Sequence, residues 1–232
     1  CDYVRTDGKN PPGLYSIEIN EIGERSFSYW RDQSPSKYIF LGSKGKKLAR
    51  EIKNADVFYY TGISAGILDA KQKKDLIHIG STAVTCGFDF NYRSQLHNDK
   101  KVSQLLFKKI SENVDINFVS FDDVKELFDI KNPYEVFEIL NDKKNLILIR
   151  YKDSIIFKNK QEVIKIVKVH HGEVVDTTAA GDAFNGSFLA LINNDKNIPI
   201  VENILKSHSV TREVIKHKGA IISNKNMPNI NT

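Results

Sequence analysis

Residues 56–232 alternate short apolar segments with amphipathic ones, and this alternation restricts the fold more than any other feature of the sequence. An apolar run of strand length followed by a helical pattern is typical of strand–helix–strand units. The first three apolar runs, at 56–61, 82–90 and 115–120, resemble strands that are covered on both faces. Helical patterns follow them at 69–80, 100–112 and 122–129. We therefore expect an α/β fold, with a mostly parallel sheet between two layers of helices.

The remainder of this region adds a hairpin and two long helices. Strands at 145–150 and 154–158 are separated only by the short turn 151–153, so we expect them to pair as neighbours. A further strand is predicted at 162–168, and helices are predicted at 133–141, 181–193 and 201–217.

The start of the chain does not follow this rhythm. Segments 13–19 and 25–31 alternate polar and apolar residues around a turn at 21–24, which predicts a β-hairpin with one exposed face. A short amphipathic helix is predicted after it, at 44–53. We therefore divide the chain into a small β flap, or lid segment, at 1–40 and an α/β core at 41–232.

Composition excludes several classes of partner. The 34 basic and 29 acidic residues give a net charge of +5, but the lysines are spread along the whole chain and do not alternate with aromatic residues. We therefore expect no nucleic-acid partner. No apolar run approaches the roughly 18 residues of a membrane helix, so we expect no membrane partner. The two cysteines form no disulfide framework, which favours a reducing, cytoplasmic location.

The segment with the clearest chemical meaning is Asp176-Thr-Thr-Ala-Ala-Gly-Asp-Ala-Phe184. Ala179, Ala180 and Gly181 have little or no side chain, so a ligand can approach the backbone closely. A helix predicted to begin at about Gly181 would point free N–H groups at that ligand, which makes an anion site. Asp182 lies in the first turn of this helix. It would serve either as a base for a hydroxyl that attacks the anion or as a simple stabiliser of the helix start.

This segment resembles the signature of the ribokinase (PfkB-type) family of sugar kinases. Segments 12–15, 23–31, 60–64, 88–93 and 218–222, in the same order, resemble the 2-keto-3-deoxygluconate kinases of that family. The resemblance implies a ribokinase-like three-layer α/β/α fold with a β flap. It also implies ATP as phosphate donor, with Mg²⁺, and Asp182 as the catalytic base.

Further site residues follow from the same resemblance. Those that would line a sugar-acid site are Tyr15, Tyr29, Arg31, Arg93 and Asp182. Those that would bind ATP are Asn91, Arg150, Ser154 and the turn Ala179–Asp182, and those near the metal are Asp122 and Asp123. Arginine suits bidentate recognition of a carboxylate. The alternatives are a surface role for Arg31, ordinary packing for the tyrosines, and helix-dipole stabilisation for the two aspartates.

Three departures from the family pattern carry expectations of their own. The family's opening strand and its Gly-Gly-Asp segment have no counterpart, so we expect residues 1–232 alone not to be an active kinase. Tyr151 stands where a glycine is usual, and we expect crowding of the nucleotide or a strained turn there. Val124 stands where the family has a glutamate, which predicts altered Mg²⁺ handling.

These inferences combine into one functional hypothesis. The chain would transfer phosphate from ATP to the primary hydroxyl of 2-keto-3-deoxygluconate. The alternatives are another sugar kinase of the same fold, such as a fructokinase, and an inactive remnant that only binds ligand or a partner subunit. Its partners would be the small sugar acid and ATP, with a homo-oligomer formed through the β flap.

Overall fold

The computed structural model describes residues 3–19, 25–140, 145–159 and 164–230. The strands are β1 (Leu14–Ile19), β2 (Arg25–Trp30), β3 (Phe58–Thr61), β4 (Cys86–Asp89), β5 (Ile116–Ser120), β6 (Leu146–Tyr151), β7 (Ser154–Lys158) and β8 (Ile164–Lys168). The helices are α1 (Gly42–Ile52), α2 (Gly62–Ile67), α3 (Ala70–Gly80), α4 (Lys100–Ser111), α5 (Phe121–Phe128), α6 (Glu135–Ile139), α7 (Ala180–Asn194) and α8 (Ile200–Val214).

Strands β3 to β8 form one sheet in chain order. The pairs β3/β4, β4/β5 and β5/β6 are parallel, whereas β6/β7 and β7/β8 are antiparallel. Helices connect the parallel strands, as crossover connections require. The predicted α/β class with a mostly parallel sheet is confirmed.

The sheet is covered on both faces because successive side chains of a strand point in opposite directions. In β5, Phe118 packs on the side of α7 and α8, while its neighbour Val119 packs on the side of α3, α4 and α5. In β6, Leu148 lies on the first side and Ile149 on the second. All four side chains are almost fully buried. Full burial on both faces explains why these segments carry no polar stripe.

Strand β4 is shorter than the sequence predicts. The predicted strand covers 82–90, but the observed strand covers only Cys86–Asp89. The preceding residues instead close the carboxyl end of α3. The Ser81 and Thr82 hydroxyls donate to the carbonyls of His78 and Ile79, both at 2.9 Å. These hydroxyls satisfy carbonyls that the helix end leaves without partners, and so keep the segment out of the sheet.

Helix α2 is an element that the sequence pattern missed. It begins directly after β3, where the Thr61 hydroxyl accepts a hydrogen bond from the Ser64 amide at 3.3 Å. A side chain at Gly62 would lie 2.0 Å from the carbonyl oxygen of Phe90, so this turn needs a glycine. The expected turn at 21–24 and residues 162–163 lie outside the described residues.

The expected strained turn is present, but Tyr151 itself is not the strained residue. Tyr151 is the last residue of β6, pairs with Ser154, and packs its ring 5.0 Å from that of Phe121. The left-handed backbone belongs to Lys152, with φ of 49°. The glycine-like position is therefore one residue further along, in the turn between β6 and β7.

Strands β1 and β2 form the predicted hairpin as a separate two-stranded antiparallel sheet. Tyr15 pairs with Tyr29 across the hairpin, and their ring centroids lie 6.3 Å apart. Leu14 and Trp30 form the neighbouring pair, and all four side chains are exposed. The division into a flap at 1–40 and a core at 41–232 stays a prediction. Within the described ranges, no helix has both the length and the apolar character needed to cross a membrane.

Candidate active site

Charged side chains meet beyond the carboxyl ends of the parallel strands. Asp89 ends β4, and one of its oxygens lies 3.6 Å from the guanidinium of Arg150 in β6. Arg93, just beyond β4, pairs with Asp123 in the first turn of α5, at 3.2 Å. Asp182, in the first turn of α7, feels the charges of Asp89, Arg150 and Arg93. The end of the parallel strands is where open α/β sheets bind ligands.

A buried polar network lies beneath this cluster. The side-chain oxygen of Asn185 accepts a hydrogen bond from Arg150 at 2.8 Å. Its NH₂ group donates to Asp89 at 2.8 Å and to the Tyr59 hydroxyl at 3.0 Å. Tyr59 in turn donates to Asp89 at 3.4 Å. Burial and the charge of Asp89 raise the pKa of the Tyr59 phenol, so it stays a protonated donor.

Sequence reasoning missed three members of this network: Tyr59, Asp89 and Asn185. A signal existed for two of them. Asp89 interrupts the otherwise apolar run between Phe88 and Phe90. Asn185 interrupts the apolar face of α7, and its side chain is fully buried. A buried polar group needs partners, but the pattern alone does not say which residues supply them.

The predicted anion-binding turn lies at the start of α7. Ala179 precedes the helix with a left-handed backbone, at φ of 61°. The amide of Ala180 already donates to the carbonyl of Thr177 at 3.2 Å. The next amides, of Gly181 and Asp182, belong to the first turn, which has no intrahelical acceptor for them. A Cβ at Gly181 would lie 3.4 Å from Arg150 Nη2, so the guanidinium lies against this turn.

Asp182 has the environment of a base. Its side chain reaches solvent at the mouth of the cluster. Partial loss of water around the carboxyl group raises its pKa, and the negative charge of Asp89 raises it further, while Arg150 and Arg93 act in the opposite direction. A raised pKa gives the carboxylate more affinity for a proton than an ordinary aspartate has.

The two candidate metal residues separate in the structure. Asp122 is exposed, whereas Asp123, the next residue along α5, turns inward to Arg93. Adjacent residues of a helix point in different directions, so the structure does not bring the two carboxylates together, and their role at a metal stays a prediction. Burial raises the pKa of Asp123 to about 6, although Arg93 lowers it.

The donor set fits a magnesium ion that is held mostly by substrate. In the part of the chain that the structure describes, no three His, Cys, Asp or Glu side chains form a metal cage. Mg²⁺ on nucleotides usually takes only one or two protein carboxylates, with phosphates and water. Asp123 supplies an inward carboxylate. The Asn91 side-chain oxygen is buried, has no hydrogen-bond partner, and comes from a residue with φ of 30°.

A cavity of about 330 Å³ adjoins the start of α7. Its lining includes Arg150, Ser154 and Gly181. Its other walls are Lys152, Ile155, Val169, His171, Val174, Thr177, Ala180, Phe184, His208, Thr211 and Ile215. Its size is at the lower end of the range for small-molecule sites. Of the predicted nucleotide residues, Arg150, Ser154, Ala180 and Gly181 line it, whereas Asn91, Ala179 and Asp182 do not.

Sequence reasoning missed the contribution of α8 to this cavity. His208 bonds through Nε2 to the His170 carbonyl at 3.0 Å, and burial lowers the pKa of its imidazole. Thr211 lies one turn further along the helix. No local pattern marks either residue, because the position of α8 at the cavity depends on its contacts with α7 and with residues 170–176.

The predicted flap residues form a group of their own. The Arg31 guanidinium lies 4.0 Å from the ring centroid of Tyr29, which in turn faces Tyr15. The structure thus brings these three together on the hairpin. Their joint contact with a sugar acid and Arg93 stays a prediction.

Replacing Asp123 with Asn should stabilise the protein at neutral pH. The raised pKa means that the folded state disfavours the ionised carboxylate, so stability falls as pH rises from 3.8 to about 6. The shift corresponds to roughly 1–3 kcal/mol of unfolding free energy above that window. Thermal melts at pH 7 should show a higher Tm for Asp123→Asn, and the gain should vanish below the ordinary aspartate pKa.

The exposed neighbour provides the control for this prediction. Asp122→Asn should change stability by no more than a few tenths of a kcal/mol, through the helix dipole. A gain in Tm for Asp123→Asn that persists unchanged at acidic pH would contradict the titration argument.

The sequence of this chain is similar to those of several curated sugar kinases. The 2-dehydro-3-deoxygluconokinase of Haemophilus influenzae is 32% identical over 95% of this chain and 72% of its own length. The Escherichia coli protein of the same name is 30% identical over 94% of this chain and 72% of its own length. A probable fructokinase of Arabidopsis thaliana is 28% identical over 83% of this chain and 60% of its own length.

Solved structures share the fold. A fructokinase with bound ATP from Xylella fastidiosa superposes with a TM-score of 0.77 at 18% identity, over 96% of this chain and 72% of that one. This similarity confirms the expected ribokinase-like architecture. The family model described as "pfkB family carbohydrate kinase" matches residues 1–227, which is nearly the whole chain. The chain therefore belongs to the pfkB family of carbohydrate kinases, and its class of activity is phosphate transfer to a sugar.

Proposed function

We propose that the protein phosphorylates the primary hydroxyl of 2-keto-3-deoxygluconate with ATP. The observation that carries the proposal is the placement of Asp182. It stands in the first turn of α7, where the charges of the Arg150 and Arg93 guanidinium groups act on its carboxylate. Arg150 lines the nucleotide cavity, and Arg93 is paired with Asp123 but remains partly exposed. The relatives named as 2-dehydro-3-deoxygluconokinases support this choice of sugar.

In the reaction, Asp182 accepts the proton of the sugar hydroxyl. The hydroxyl oxygen then forms a bond to the γ-phosphorus of ATP, the bond from that phosphorus to the bridging oxygen breaks, and ADP leaves. Such transfer depends on positioning and on stabilisation of charge on the phosphoryl oxygens. The Gly181 and Asp182 amides, the dipole of α7 and Arg150 supply positive potential at this point.

The nucleotide base and ribose would occupy the 330 Å³ cavity. Its apolar walls, which include Phe184 and Ile215, suit a planar base, and Arg150 stands at the end nearest Gly181. A bound Mg²⁺ would shield the phosphates, held by Asp123 and by the unpartnered oxygen of Asn91. Because ATP is an intracellular donor, we also propose a cytoplasmic location.

The sugar acid would be recognised by charge. Arg93 pairs with Asp123 at 3.2 Å and is 39% exposed, so its guanidinium is open to a second carboxylate. The carboxylate of the sugar acid can form a charge-assisted, bidentate contact with such a group. Tyr15, Tyr29 and Arg31 of the flap would cover the sugar and exclude water. The opposite face of the same hairpin exposes the Leu14 and Trp30 pair, and this supports a second proposal, a homo-oligomer that forms through the flap.

A coupled assay for ADP release tests the proposed function on the full chain. ATP with 2-keto-3-deoxygluconate should give turnover, and mass spectrometry should find one phosphate on C6. Turnover by residues 1–232 would also contradict the expectation from the sequence that this chain alone is inactive. Omission of Mg²⁺ should abolish turnover. Phosphorylation of fructose at the same kcat/KM would favour the fructokinase alternative instead. Binding of ATP without turnover on either sugar would favour the inactive remnant, and both outcomes would overturn the proposal.

A further inference from the structure

We infer that Asn185 is a positioning residue, which together with Asp89 and Tyr59 fixes the Arg150 guanidinium against the Gly181 turn so that it meets the nucleotide phosphates. This inference rests on the proposed function. It assigns a task to a buried network that the reaction itself does not use.

Both the oxygen and the NH₂ group of the Asn185 side chain form hydrogen bonds. Its oxygen accepts from the cation Arg150 at 2.8 Å, and its NH₂ group donates to the anion Asp89 at 2.8 Å. A third bond runs from the same NH₂ group to the Tyr59 hydroxyl at 3.0 Å. A flipped amide would present its NH₂ to the guanidinium and its oxygen to the carboxylate, which is unfavourable at both ends. The charges therefore fix one orientation of the amide.

The Arg150 guanidinium is bound by buried side chains but remains partly exposed to solvent. Its Nη1 donates to Asn185, and Nη2 lies 3.6 Å from Asp89. The side chain is 26% exposed, and it lines the cavity. Nη2 also lies 3.4 Å from the position of a Cβ on Gly181, so the guanidinium adjoins the anion-binding turn.

A guanidinium that is already immobile binds a phosphate at a lower cost in entropy. A free arginine side chain has considerable rotamer entropy, which an incoming phosphate would have to remove. Immobilising the guanidinium in advance lowers the cost of binding. Since Asn185 lies one helical turn after Asp182, the same rigid helix places the base and the phosphate-facing cation. The network and the helix therefore set the distance between the Asp182 carboxylate and the Arg150 guanidinium.

Isothermal titration with ATP and with adenosine separates this role from a structural one. Asn185→Leu removes both ends of the amide at similar volume. We expect the Kd for ATP to rise about 10-fold or more, as loss of a hydrogen bond to a charged group implies. The Kd for adenosine, which has no phosphate, should stay within about twofold.

Asn203 offers a matched control. It is also fully buried, and it donates to the Phe188 carbonyl at 3.1 Å rather than to the network. Asn203→Leu should leave the ratio of the two affinities unchanged, whatever it does to Tm. If Asn185→Leu fails to fold, Asp89→Asn keeps the shape of the carboxylate, removes its charge, and should also weaken ATP more than adenosine.

The outcomes are distinguishable. Equal losses of ATP and adenosine affinity in Asn185→Leu, or no loss of ATP affinity, would overturn the inference and leave the proposed function standing. A parent protein that binds neither ligand would overturn both.

Discussion

Asp182→Asn is expected to lower kcat by at least about 100-fold and to leave the Kd for ATP nearly unchanged. The asparagine keeps the shape of the side chain and its place in the first turn of α7. It cannot accept the proton of the sugar hydroxyl, so only the proton-transfer role is lost. Steady-state kinetics with 2-keto-3-deoxygluconate and titration calorimetry with ATP measure the two quantities. A kcat close to that of the parent protein would remove Asp182 from the role of base.

The same variant should be slightly more stable at neutral pH. Because the pKa of Asp182 is raised, the folded state disfavours its ionised form, and stability falls as pH rises through the raised pKa. The effect is small since the side chain reaches solvent. Asp195→Asn, at the other end of α7, is the control and should change neither kcat nor Tm appreciably. Loss of activity with a gain in stability is typical of a functional residue.

Arg93→Ala is expected to raise KM for the sugar acid about 10- to 100-fold while KM for ATP stays nearly constant. A hydrogen bond to a charged group contributes about 1.5–3 kcal/mol, and the substrate carboxylate would lose such bonds. Arg93→Lys keeps the charge without the fork and should give an intermediate KM. Arg50→Ala, an exposed arginine in α1, is the control. An equal rise in both KM values would assign Arg93 to the nucleotide instead.

The same variant can also be tested with a neutral sugar, which has no carboxylate for Arg93 to bind. If Arg93 selects the acid, the parent should discriminate strongly between 2-keto-3-deoxygluconate and fructose, and Arg93→Ala should reduce the discrimination. Equal use of the two sugars by the parent protein would contradict the assignment of the sugar acid.

The layered sheet could be predicted from the sequence because its cause is local. Fully buried strands such as β5 and β6 must be apolar on both faces, so the pattern alone reveals them. Ends of elements were less predictable. The start of β4 depends on which carbonyls the Ser81 and Thr82 hydroxyls bond, and that is settled by the end of α3.

Only part of the candidate site could be predicted from the sequence. Asp182 and the Gly181 turn lie in one continuous motif, so the residues that make the anion site are adjacent in sequence. Asn185 has partners from three distant strands, and nothing near it in the sequence identifies them. The difference between Asp122 and Asp123 is equally invisible in sequence, since only the docking of α5 decides which carboxylate faces Arg93.

The Asn185 network also has a consequence for the order in which the molecule folds. Its hydrogen bonds join residues separated by 35, 96 and 126 positions. Closing such large loops is entropically costly and is rewarded only when the intervening strands are already in place. The network therefore forms late, together with global folding rather than within a local unit. In a refolding experiment, recovery of ATP binding should lag behind recovery of helical circular dichroism and coincide with the slowest folding phase.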